Sequence, residues 1–331
     1  MVNPLLPAEF WGLSIGIYLF LGGLAGGAYV AGATADLLSL RDPEREQSYR
    51  QTARWSMVIA VMAISIGGVL LIGHLGEPMH VLMFWLFTNL DSWMTIGIWV
   101  IIGFTGLAML QALWLGFGRE HGFAVSVPIV DKIARLTRPS ERIRRGITTV
   151  GIAIGVLLAV YTALLISTAG GIVPLWHGTW LPLLFLTSSL SIGIAGVFLV
   201  TNLTQGFLDT GVQTFSLADD AIILAELGVL AVLMWTMKNG SSTAVETFQY
   251  IMSEGWILFW VGVVGVGLVA PLVLSAVMLG IEGRYDLYRN TAMCRYAKTI
   301  GSVKFALVVM GGLMLRLMIV FGALNVPIIG A

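Results

Sequence analysis

The chain has 331 residues, 57% hydrophobic and only 11% charged, with mean hydropathy +0.91 and zero formal net charge. Soluble domains carry about 25% charged residues, so composition excludes a water-soluble enzyme, and the balanced charge gives no footprint for a nucleic-acid partner. The lone Cys294 excludes an intrachain disulfide and a cysteine-ligated iron–sulfur cluster within this chain.

The apolar runs are continuous rather than alternating, which points to an all-α integral membrane protein and away from a β-barrel. Eight segments are long enough to span, near residues 10–38, 55–75, 93–117, 147–169, 180–203, 217–236, 256–281 and 300–325. The first holds "LFLGGLAGGAYVAG", Leu19 to Gly32, with five glycines in fourteen residues. A phosphate cradle would follow a strand in a polar chain. Here 26 residues without a charge separate Glu9 from Asp36, about 39 Å of helix, enough to cross a bilayer. The pairs Gly22/Gly26 and Gly23/Gly27 instead fit the small-xxx-small pattern of closely packed membrane helices. With no basic start and no small-residue cleavage site, this segment reads as a span rather than a leader.

Basic residues set the orientation. The first, third and seventh loops, counted with Arg54 and Arg144, hold fifteen Lys and Arg; the opposite side holds only Lys238. The positive-inside rule puts these loops in the cytoplasm and both termini outside, in a cytoplasmic (inner) membrane. The outer loops "GEPMHVLMFWLFTNLDS" and "GGIVPLWHGTW" are short and aromatic. Such loops suit either a headgroup-level aromatic belt or a docking surface for an external partner.

Four histidines, His74, His80, His121 and His177, are placed mostly in loops, so no haem is expected. No metal-ligand spacing and no nucleophile–base pair is recognisable. If this chain takes part in redox chemistry, electrons come from a partner and a diffusible carrier such as a quinone. One depth of the membrane gathers suitable groups: Trp11 and Tyr18 on the first segment, His74 and Glu77 after the second, Ser92 before the third and Tyr161 on the fourth. A quinone site needs an apolar slot, hydrogen-bonding groups such as Tyr or His, and a proton route such as Glu77. Singly, each has an ordinary reading: a membrane Tyr anchors at the interface, and a helix-end His meets the dipole. Within the later segments, Glu226 and Arg316 are costly in lipid and form either a structural pair or a proton-transfer route. Asp36, Asp219, Asp220 and Lys304 sit near segment ends and read as interface markers.

These residues sit in stretches that resemble the NrfD/PsrC family of quinone-interacting membrane subunits. "FWGLSIGIYLFLGGLAGGAY" resembles the family's opening, and "LLIGHLGEPMH" with "DSWMTIGIW" its second loop and third-helix entry. "VYTALLISTAGGIVPLWHGTWLPLLFLTSSLSIGIAG" is the most specific match, and "FWVGVVGVGLVAPLVL" and "GGLMLRLMIVFGA" resemble the last two helices. The resemblance implies two four-helix bundles, residues 1–170 with a quinone site near the external face and residues 171–331. It implies menaquinone or another quinone as cofactor, and as partners a four-cluster iron–sulfur subunit and a molybdopterin catalytic subunit on the external face. Tyr161 matches a position where a Tyr contacts quinone, and Tyr18 one that is often His. Ile15 departs from an Asn of the polysulfide reductase relatives. The expected role is therefore a membrane anchor and quinone/quinol-binding subunit of a polysulfide reductase-like complex, not catalytic for the terminal substrate on its own. The competing readings are a secondary transporter, or a proton-translocating subunit without its own quinone site.

Overall fold

A computed structural model describes residues 13–74, 91–117, 127–204, 212–284 and 291–322. The described residues form α-helices joined by short turns: α1 Leu13–Leu38, α2 Glu46–His74, α3 Trp93–Gly116, α4 Pro128–Thr137, α5 Glu141–Ser167, α6 Trp180–Thr204, α7 Val212–Lys238, α8 Ser242–Ser253, α9 Ala270–Arg284 and α10 Thr291–Phe321. A π-helical segment, Ile257–Val269, leads into α9. Single 3-10 turns, each with Pro at its start, occupy Pro43–Arg45 and Pro174–Trp176. Seven helical stretches are long and apolar enough to cross a membrane by length and composition. The remaining expected segment, 217–236, lies within the 27-residue α7, which carries Asp219, Asp220 and Glu226.

The helices overrun the apolar windows at their charged ends. α2 begins nine residues before the expected start, α5 six and α10 nine. A helix needs apolar side chains only where it meets hydrocarbon, so polar first turns continue it into water at little cost. Arg50, Arg54, Arg144, Arg145, Arg295 and Lys298 are thus helical residues, not loop residues. Two short helices lay hidden in the segments read as loops. α4 starts at Pro128 and stops at Arg138, which precedes Pro139 and is extended, as a residue before proline prefers. It is tied to the end of α3: Trp114 Nε1 donates to Thr137 Oγ1 at 3.1 Å, and Arg138 donates to the Trp114 and Phe117 carbonyls. Burial lowers the pKa of Arg138, with Glu141 pulling the other way. α8 is capped by Ser241, whose hydroxyl accepts from the Ala244 N–H at 3.3 Å.

The central helix is α1, packed against α2, α5, α6 and α10. Association inside a bilayer draws little on the hydrophobic effect and depends on close packing and interhelical hydrogen bonds. The glycine run supplies the first. A methyl added at Gly27 would fall on the Ser189 carbonyl of α6, and one at Gly193 on the Gly27 backbone. A second backbone contact joins Gly267 of the π-helical segment to Gly311 of α10. The wide turns just before α9 have a local cause: Pro271 offers no N–H, and its ring crowds the preceding turn. The outward faces stay apolar, with Trp99 and Met109 of α3, Trp235 of α7 and Trp260 all exposed, as a lipid-facing surface requires.

Candidate functional site

Tyr18 of α1 and Tyr161 of α5 are both buried in the interior, 5% and 3% exposed, and their hydroxyls interact with each other. All of the first four long helices build this spot. Gly97 of α3 lies directly under the Tyr161 ring, where any Cβ would collide with the ring and its hydroxyl. Gly67 of α2 faces the Tyr18 ring, 3.7 Å from where its Cβ would be. Ser92 occupies the cap position of α3 with extended backbone, five residues or about 7 Å along the axis from Gly97, and its side chain makes no capping bond. His74 is the last residue of α2. Trp11 and Glu77 lie outside the described residues. The structure therefore brings Tyr18 and Tyr161 together, sets Ser92 nearby in sequence, and adds Gly97 and Gly67. Those two glycines were not singled out, because the open space a glycine leaves depends on a partner helix.

The other expected residues form a separate polar chain. Arg316 of α10 is fully buried. It donates to the Ser188 hydroxyl, to Ser189 Oγ at 3.0 Å and to the Phe185 carbonyl at 3.4 Å, all on α6. Its guanidinium carbon stands 4.7 Å over the Phe185 ring. Glu226 of α7 lines a small cavity together with the same Ser188. Ser188 thus touches Arg316 and shares a cavity with Glu226. That cavity, with room for about one water, is walled by Ser188, Glu226, Val263, Gly267 and Gly312. The guanidinium also explains a glycine of α1: a Cβ at Gly23 would stand 2.6 Å from Ser189 Oγ and 3.1 Å from an Arg316 nitrogen. The serines come from "TSSLS" in α6, a polar run inside an apolar helix that signals an interhelical contact.

Of the charges read as interface markers, Asp36, Asp219 and Lys304 are buried instead, and Asp220 is partly so. Asp36 and Arg144, 1% and 2% exposed, form an ion pair between α1 and α5, and Arg144 also holds Glu141 Oε2 at 2.9 Å. Lys304 and Asp219 are fully buried between α10 and α7. Position along a helix gives only depth, and the face carrying these residues turns inward, where they meet groups of opposite charge. Among the described residues no group of three or more His, Cys, Asp or Glu side chains is placed to hold a metal ion.

Comparison with known proteins agrees with this architecture. The family model described as "Polysulphide reductase, NrfD" matches residues 3–327. The C subunit of polysulfide reductase from Wolinella succinogenes is 30% identical over 276 residues, covering 81% of this chain and 83% of that protein. Protein NrfD of Escherichia coli is 26% identical over 278 residues, 80% of this chain and 84% of its own. The NrfD homolog of Haemophilus influenzae is 26% identical over 297 residues, 86% and 88% respectively. With its long apolar helices, this is a multi-pass membrane protein, and it belongs to the NrfD/polysulphide reductase family.

Proposed function

We propose that this protein is the membrane anchor and quinone/quinol-binding subunit of a polysulfide or sulfur reductase-like complex. In this reading it passes electrons between the menaquinone pool and an external iron–sulfur subunit, itself joined to a molybdopterin catalytic subunit. Eight spans in two four-helix bundles, residues 1–170 and 171–331, with both termini outside an inner membrane, complete the picture. The observation that carries it is the Tyr18–Tyr161 pair, enclosed by four helices over Gly97. Two hydroxyls hold two protons, so even with one shared between them the other can donate to a carbonyl oxygen. These residues fit a quinone, which when bound supplies two-electron, two-proton chemistry. Tyr161 and Tyr18 orient the head by hydrogen bonding, and the apolar surround excludes water. Trp11, Ser92 and His74 are proposed around the same head, Glu77 as a proton exit.

A second reading, a proton-translocating subunit without its own quinone site, is favoured by the Glu226–Ser188–Arg316 chain. Fluorescence titration of a quinol analogue against the purified complex separates the two. Saturable binding that weakens about tenfold in Tyr161→Phe, the worth of one hydrogen bond, supports the quinone subunit. Absence of saturable binding to the wild type turns the assignment to the second reading.

A further inference from the structure

Two helical turns before Glu226, α7 carries a second set of charges that the quinone reading does not use. Lys304 Nζ of α10 donates to Asp220 Oδ1 at 2.6 Å and to Ser216 Oγ at 2.7 Å, and stands 3.8 Å from Asp219 Oδ2. Ser275 of α9 donates to the other Asp220 oxygen. Ser191 of α6 donates to Asp219 Oδ1 at 2.7 Å. Four helices close over the cluster; Lys304 and Asp219 are fully buried and Asp220 is slightly open.

The charges do not balance. Two carboxyl groups face one ammonium, and among the described residues no second cation pairs with either aspartate. The next groups along α7 and α10, Glu226 and Arg316, are one of each sign and offset each other around Ser188. A surplus negative charge in a membrane interior is costly unless something neutralises it. One atom is left over: Asp219 Oδ2 is buried and has no hydrogen-bond donor.

We propose that this cluster is a proton-binding site, with one exchangeable proton carried by Asp219 on Oδ2 while Asp220 and Lys304 remain an ion pair. The proton cancels the surplus charge and displaces no hydrogen bond, since Ser191 occupies Oδ1 and Lys304 approaches Oδ2 only to 3.8 Å. A metal cation fits less well, because the Lys304 ammonium stands beside Oδ2 and repels it. Exchange with solvent runs past Asp220 and Ser275, on the less enclosed side. The site stands on the cluster alone, whether or not the tyrosine pair binds a quinone.

The test is infrared spectroscopy of the full-length protein in lipid nanodiscs at neutral pH, in H2O and D2O. The expected result is a carboxylic-acid C=O band that shifts in D2O. Asp219→Asn removes one carboxyl's share of it, in a Glu226→Gln background as well as in the wild type. Ser191→Ala, which keeps the carboxyl but deletes its donor, moves the band's frequency and serves if the asparagine variant does not fold. A band unchanged in Asp219→Asn, or unmoved in Ser191→Ala, overturns the assignment. So does a band abolished by sodium chloride but not by potassium or choline chloride, which would make the site one for sodium.

Discussion

At the tyrosine pair the first half of the protein buries two neutral hydroxyls, whereas the second half buries Glu226, Arg316, Asp219 and Lys304. The cost of changing partners differs accordingly. A hydroxyl left unpaired away from water costs about 1–3 kcal/mol, which a ligand's own acceptor can restore. Breaking a buried charge from its partner costs about 3–5 kcal/mol. Exchanging one partner for a ligand therefore costs little at the tyrosine pair, as the proposed quinone site requires. The buried charges of the second half hold their groups in place. The contrast also separates the roles of the glycines, since Gly97 makes room for a tyrosine and Gly23 for a guanidinium.

The contrast breaks first at Arg316. Arg316→Ala strips donors from Ser188, Ser189 and the Phe185 carbonyl and leaves Glu226 without a nearby cation. We expect a loss of about 3–5 kcal/mol, seen as a large fall in thermal unfolding temperature in detergent; a neutral variant would place the second half under the same rule as the first. Gly193→Ala comes next, because its methyl meets the Gly27 backbone. Helices α1 and α6 must separate, at about 1–3 kcal/mol in the same assay. The tyrosines test the other side. In a double-mutant cycle of Tyr18→Phe and Tyr161→Phe, the coupling measured by unfolding should be about 1 kcal/mol. A coupling several times larger would mean the pair is structural rather than poised for a ligand. Smallest of all, Gly103→Ala on α3 meets nothing within 4 Å and should change stability by less than about 0.5 kcal/mol.

The long helices were legible because a bilayer leaves no alternative to a continuous apolar helix. The close approach of α1 to its neighbours was legible for a related reason, since the small-xxx-small spacing marks a packing surface; Gly26 and Gly27 do lie against other backbones, while Gly23 makes room for Ser189 and Arg316. Tyr18 and Tyr161 were placed at a common depth and do meet, because depth follows directly from counting residues along a span. Rotation about the helix axis is what counting cannot supply. Asp36, Asp219 and Lys304 were judged by depth and taken for interface residues, but all three face inward onto partners more than eighty residues away in sequence. The serines that hold Arg316 stood in plain view as "TSSLS", yet their partner could be identified only once α6 and α10 were side by side. The helices α4 and α8 were missed because each is only ten or twelve residues long and half polar, below the length that hydrophobicity makes conspicuous.

The contact between Gly27 and Gly193 has a consequence for how the protein is made. The two glycines are 166 residues apart, by subtraction of their positions. At a synthesis rate of about 5–20 residues per second, α6 arrives on the order of ten to thirty seconds after α1 has entered the bilayer. During that interval the α6-facing groove of α1, bare backbone along Gly23 and Gly27, has lipid or the insertion machinery for company. Arg316 arrives later still, so Ser189 waits for its cation through another 127 residues of synthesis, and Ser188 with it. A ribosome stalled between α6 and α10 would leave a nascent polypeptide with its tyrosines already in register and its arginine socket open, a natural target for quality-control proteases.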